Sequence, residues 1–180
     1  PHKFKIEALS CRSSIECLVE QIKEFQPRLV CVDNSEQARE LRETFRDRNS
    51  GIVTEFVWGV EGLIKISSDP EVDLVVAGIV GAAGLQPTYS AVQAGKTVAV
   101  ANKEPLVMAG ELFVQTANKT GAKLLPTDSE HNAIFQALHG EPLEHIARLI
   151  LTASGGPFRD LPLKEFGKIT LAEALSHPNW

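Results

Sequence analysis

Cysteine is scarce and unpatterned in this chain. Its 180 residues contain three, Cys11, Cys17 and Cys31, with no metal-binding spacing, so they read as small buried or half-buried thiols in a reducing cytoplasm. Excess basic charge is lacking too. Eighteen Lys and Arg stand against 23 Asp and Glu, a net charge of −5. That argues against a nucleic-acid-binding surface, which needs a basic stripe, and an anionic ligand must instead be held by a few placed groups. No apolar run is long enough to span a bilayer, since the strongest, residues 74–85, is broken by three glycines. There is no internal repeat and no low-complexity segment. The opening, Pro1-His2-Lys3-Phe4-Lys5, is neither a signal peptide nor a Met-initiated start. It and the closing His177-Pro178-Asn179-Trp180 read as interior sequence of a longer protein.

What is present is an alternation of short apolar runs with amphipathic stretches. Strands are expected at residues 3–9, 29–32, 52–57, 73–80, 97–101 and 122–125, the fourth apolar on both faces. Between them, apolar spacing of i, i+3, i+4, i+7 predicts helices at 15–25, 35–45, 61–66, 88–94 and 106–118. Ser13 or Ser14 is expected to cap the first helix and Asn34 or Ser35 the second. Strands alternating with helices, several of them continuously apolar, predict a doubly wound parallel sheet to about Thr127. After it come a helix at 132–138, a strand at 146–152, the loop Ser154-Gly155-Gly156-Pro157-Phe158-Arg159 and a last helix at 171–175.

Doubly wound sheets bind ligands at the carboxyl ends of their strands, and several such ends carry chemistry. In Asp128-Ser129-Glu130, an extended backbone would point both carboxylates to one side, toward one cation. Hard oxygen ligands suit Mg²⁺ or Mn²⁺, but two carboxylates alone make an incomplete cage. Arg12-Ser13-Ser14 either accommodates a 2′-phosphate, which favours NADP over NAD, or is a solvated Arg beside a helix start. Gly78-Ile79-Val80-Gly81-Ala82-Ala83-Gly84 is a tight strand-to-helix turn that could wall a cofactor. Lys103, in Ala101-Asn102-Lys103-Glu104, is either a point charge for a substrate oxygen or phosphate or half of a surface pair. Ser154 with its two glycines could cradle a phosphate as a nest, or simply turn the chain. His177 and Trp180 either close over a ligand or form a terminal turn. His131 and His139 lack mutual ligand spacing and receive no role.

In order and spacing, these segments resemble the 1-deoxy-D-xylulose 5-phosphate reductoisomerase family of non-mevalonate isoprenoid biosynthesis. The matching blocks are residues 79–85, 94–97, 101–104, 125–136, 154–159 and 177–180. The resemblance implies a Rossmann-like NADPH-binding domain over residues 1–127 and the start of an α/β catalytic domain over 128–180. It implies rearrangement of the sugar phosphate 1-deoxy-D-xylulose 5-phosphate, then reduction to 2-C-methyl-D-erythritol 4-phosphate by NADPH, with Mg²⁺ or Mn²⁺ as cofactor. Asp128 and Glu130 would be two of three carboxylate metal ligands. Lys103, Ser129, Glu130 and Ser154 would contact the substrate, His177 and Trp180 would bind it from a lid, and Lys103, Glu130 and His177 would be the catalytic residues. Asn102 and Glu104 would line the nicotinamide end, and Arg12, Ser13 and Ser14 the adenosine 2′-phosphate.

The family's Gly-rich pyrophosphate turn and first strand would precede Pro1, and its third carboxylate and C-terminal helical domain would follow Trp180. The 180 residues by themselves are therefore expected to be unstable and inactive. A homodimer at full length is implied, in a bacterial cytoplasm or a plastid stroma, with no nucleic-acid or membrane partner. Pro105 stands where the family usually has Ser, which a helix's first turn accepts. The alternatives are another NAD(P)-dependent oxidoreductase of the same fold, without the metal, and a non-catalytic binding remnant.

Overall fold

Short apolar runs become strands here only where a neighbouring run supplies a ladder, and helices carry the chain from each strand to the next. The computed structural model describes residues 4–46, 53–150 and 156–176. Strand β1 (Ala8–Ser10), helix α1 (Ile15–Phe25), β2 (Leu29–Val32), α2 (Ser35–Thr44) and β3 (Glu55–Trp58) form a parallel sheet of order β1-β2-β3. Helix α3 (Gly59–Ser68) leads to β4 (Leu74–Ala77), a 3-10 turn (Gly81–Gly84), α4 (Leu85–Gln93), β5 (Thr97–Val100), α5 (Glu104–Thr120) and β6 (Lys123–Pro126). These last strands make a second parallel sheet, β4-β5-β6. The alternation makes this the α/β, doubly wound, Rossmann-like class.

Burial follows the pattern of side chains along each strand. All four residues of β2 are buried. Val30 and Val32 pack with Leu18 and Ile22 of α1 and Ala38 and Leu41 of α2. Cys31 points to the other face, so close to Gly62 of α3 that a Cβ there would stand 2.8 Å from its sulfur. In the second sheet Val98 and Val100 pack with Val92 of α4 and with Phe113 and Ala117 of α5. Tyr89 meets Phe113 edge-on at 5.4 Å, with its hydroxyl 3.0 Å from that of Thr116.

Several elements depart from expectation. The strand expected at 3–9 is Ala8–Ser10, because β2 is its one partner among the described residues and the ladder begins where Glu7 accepts from Arg28 and Leu29. The strand expected at 73–80 covers only Leu74–Ala77, and Leu74 and Val76 are 40% and 68% exposed. Among the described residues its one ladder runs to β5. Its other edge and that of β1 line the same cavity of about 880 Å³, together with residues of α3 and α4. No strand forms over 146–150, which takes part in no ladder among the described residues. Residues 151–152 lie outside the described residues. Ser14 stands at the start of α1, but its side chain makes no capping bond. Asn34 does cap α2, accepting from the Gln37 amide at 3.0 Å. Pro105 occupies the first turn of α5 and is fully buried.

The chain divides into two compact units, residues 1–132 and 133–180. The second holds the later part of α6 (Ser129–Leu138), three short 3-10 turns and α7 (Leu171–Ala174), which is closed by a reciprocal cap between Thr170 and Glu173. Among the described residues no helix is long and apolar enough to cross a membrane.

Candidate active site

The register of the second sheet builds the site. Val100 and Pro126 are paired at the carboxyl ends of β5 and β6, and the Val100 carbonyl then accepts from the amides of both Thr127 and Asp128. The two chain segments leave the sheet side by side, which sets Lys103 against Asp128 across 25 residues of sequence. The Lys103 ammonium lies 2.9 Å from Asp128 Oδ2 and 3.8 Å from Glu130 Oε2. His131 Nδ1 is 2.9 Å from the other Asp128 oxygen, Oδ1.

The route to this convergence is not the extended one. Helix α6 begins at Ser129, three residues earlier than expected, so Ser129, Glu130 and His131 are helical. Glu130 reaches the cation position from the first turn of a helix whose preceding residue is Asp128. The same geometry puts His131, three residues on, back over Asp128, because residues i and i+3 are neighbours at a helix start. His131 thus touches the site despite having been given no role. The spacing Asp-x-x-His at a strand-to-helix junction was the signal for it.

Electrostatics follow from these contacts. The Asp128 side chain is 16% exposed. The hydrogen bond from Lys103, and then that with His131, hold its carboxyl down to about 2, from an ordinary 3.8. The Lys103 ammonium is pushed up, chiefly by its hydrogen bond to Asp128.

One residue earlier in the chain, Asn102 is buried and spends its amide on the glycine turn. Its Nδ2 donates to the carbonyls of Ile79 at 2.5 Å and Gly81 at 3.1 Å, and its Oδ1 accepts from the Glu104 amide at 3.4 Å. Gly81 has φ of +72°, and a Cβ on Gly84 would sit 2.7 Å from the Ile79 carbonyl oxygen. These two positions therefore need glycine. The turn is packed against the end of β5 and fixes the backbone from which Lys103 projects.

Arg12, Ser13 and Ser14 are exposed after β1, with Arg12 Nε 3.6 Å from Asp33 Oδ1 and the Arg12 carbonyl accepting from Gln37 at 3.2 Å. Ser154, His177 and Trp180 lie outside the described residues. Among the described residues no cluster of three or more His, Cys, Asp or Glu side chains is placed to hold a metal. Asp128 and Glu130 still fit a divalent cation as two of its ligands. Both are hard oxygen donors, and both already reach one positive centre, the Lys103 ammonium.

The comparisons agree with one another. Residues 1–110 match the family model for 1-deoxy-D-xylulose 5-phosphate reductoisomerase, and residues 124–180 match that for its C-terminal domain. The chain is 47% identical to the 1-deoxy-D-xylulose 5-phosphate reductoisomerase of Glaesserella parasuis and 49% identical to that of Shouchella clausii. Each alignment covers all of this chain, and 48% and 46% of those proteins. The chain spans about half the length of the curated relatives it matches. A crystal structure of DOX-P reductoisomerase in complex with NADPH, fosmidomycin and magnesium is similar at a TM-score of 0.77 and 43% identity. That match covers 100% of this chain and 46% of that one. The enzyme from Zymomonas mobilis in complex with NADPH is similar at a TM-score of 0.77 and 35% identity, covering 98% and 45%.

Proposed function

Since this chain belongs to the 1-deoxy-D-xylulose 5-phosphate reductoisomerase family, we propose that it supplies part of the cofactor domain and two metal ligands of an enzyme of that activity. The reaction is rearrangement of 1-deoxy-D-xylulose 5-phosphate and its NADPH-dependent reduction to 2-C-methyl-D-erythritol 4-phosphate, in non-mevalonate isoprenoid biosynthesis. Similar structures carry NADPH and magnesium, and NADPH with Mg²⁺ or Mn²⁺ are the cofactors here.

The observation that carries this reading is the single ammonium shared by Asp128 and Glu130 at the carboxyl ends of β5 and β6. These carboxylates would hold the metal, which when bound acts as a Lewis acid on the substrate's carbonyl and hydroxyl oxygens. His131 orients Asp128 from its far oxygen. Lys103 holds a substrate oxygen and Ser129 a substrate hydroxyl, both from the edge of this cluster. Ser154 takes the phosphate, and His177 and Trp180 close over the substrate and exclude water. Asn102 and Glu104 shape the nicotinamide end through the glycine turn. Arg12, Ser13 and Ser14 bind the 2′-phosphate, supported by their exposure at the carboxyl end of β1.

We place the NADPH-binding domain at residues 1–127 and the catalytic domain from 128. The full-length protein would be a homodimer in a reducing bacterial cytoplasm or plastid stroma. The cavity lined by β1 and β4 supports a further strand of the family's fold between them, and two carboxylates among the described residues would leave the metal cage incomplete. Both features support instability and lack of turnover in the 180 residues alone.

The test is NADPH oxidation by the full-length protein with 1-deoxy-D-xylulose 5-phosphate. Chelation should abolish it and Mn²⁺ restore it, and Asp128→Asn should lower kcat by about 100-fold or more, roughly 3 kcal/mol of lost stabilisation. Activity indifferent to chelation would point instead to a metal-independent oxidoreductase of the same fold.

A further inference from the structure

The Lys103 ammonium stands where a cation ligated by Asp128 and Glu130 would stand. It is 2.9 Å from one carboxylate and 3.8 Å from the other, and a divalent ion needs those same oxygens at little more than 2 Å. Two positive centres cannot share that seat without strong repulsion. The surroundings allow one of them to leave. Lys103 is at the start of α5, where its carbonyl accepts from the amides of Leu106 and Val107, so its backbone is held. Its side chain is 46% exposed and is a flexible four-carbon stem. Asp128, by contrast, is gripped at its other oxygen by His131 and does not depend on Lys103 alone for its orientation.

We infer that Lys103 is an internal place-holder for the metal, neutralising Asp128 and Glu130 until a divalent cation displaces its ammonium from them. The inference rests on the metal-binding reading above and adds an order of events. While it faces the two carboxylates the ammonium is drawn toward them and spends one of its three N–H donors on Asp128. Metal binding therefore frees that donor and turns Lys103 toward the substrate. It also implies that the protein binds its metal less tightly than its carboxylates alone would allow. His131 keeps Asp128 from rotating during the exchange.

The test is Mn²⁺ binding to the full-length protein without substrate or NADPH, followed by the electron paramagnetic resonance of free Mn²⁺ at about 50 mM salt, where screening is modest. Lys103→Met removes the charge and keeps most of the stem, and Lys103→Gln serves as a second variant should the first fail to fold. Both are expected to bind Mn²⁺ about fivefold tighter or more than the wild type, although both lose turnover. Equal or weaker Mn²⁺ binding in the folded variants would overturn the place-holder role while leaving the metal site intact. Absence of Mn²⁺ binding in the wild type, or binding unchanged by Asp128→Asn, would instead remove the metal reading and this inference with it.

Discussion

Gly84→Ala isolates the packing of the glycine turn against the end of β5. Gly84 has φ of −74° and ψ of −13°, a right-handed conformation that alanine adopts freely, so the smaller freedom of the unfolded chain alone favours the substitution by about 0.4–1 kcal/mol. Space opposes it. The new Cβ would stand 2.7 Å from the Ile79 carbonyl oxygen and 3.3 Å from Asn102 Nδ2. The nearer atom is backbone and cannot swing aside. That carbonyl is also the one Asn102 donates to at 2.5 Å, so relieving the clash loosens a hydrogen bond of a buried amide. Overpacking costs about 1–3 kcal/mol and a weakened bond about 0.5–1.5 kcal/mol. Set against that entropic gain, the net loss is roughly 1–3 kcal/mol. In urea, with a slope of about 1–3 kcal/mol per molar, the unfolding midpoint of the full-length protein should fall by roughly 1 M with little change in slope. Circular dichroism reads it directly. Gly110→Ala is the control, because nothing lies within 4 Å of a Cβ there, and it should be neutral or stabilising. A Gly84→Ala midpoint at or above the wild type's, or an equal loss in Gly110→Ala, would refute the reasoning.

Phe113 is fully buried between α4 and the second sheet. Phe113→Ala should cost about 3–5 kcal/mol by urea unfolding, and Phe113→Leu considerably less. The Lys103–Asp128 pair gives a pH dependence. Asp128 is held down to about 2 from 3.8, so the unfolded chain takes up its proton first. The pair's stabilisation is full above the ordinary value and lost as pH falls through 3.8 toward 2. Lys103 is pushed up from 10.5, so its share is present below that value and lost at still higher pH. The midpoint difference between wild type and Asp128→Asn should therefore be flat from pH 5 to 9 and shrink toward zero below pH 3. Thr170→Ala removes the reciprocal cap of α7 and should cost about 1 kcal/mol locally, read as faster exchange of the bonded amides of Glu173, Ala174 and Leu175.

Much of this molecule is local in origin and was legible without coordinates. An apolar run of four residues, an amphipathic stretch with the right period, and an Asn or a Gly-rich turn at the join are decided within about ten residues, so all six strands of the two sheets were found. Over 146–150, the described part of the strand expected at 146–152, none forms, because apolar character alone supplies no partner for a ladder. β4 misled in a related way. Its residues are apolar enough for burial on both faces, yet Leu74 and Val76, which share one face, are exposed while Val75 and Ala77 pack on the other, because burial depends on what packs over each face.

The triplet Asp128-Ser129-Glu130 shows the same division at the site. Which residue types could bind a cation, and their nearness to a strand end, were properties of the chain itself. Where α6 begins, that Glu130 arrives by a helical turn, and that His131 closes on the far oxygen of Asp128 were settled by three-dimensional geometry. So was the position of Lys103, 25 residues away in sequence, between the two carboxylates. The pairing of β5 with β6 brings it there, and a contact set by strand register is invisible to any short window of sequence.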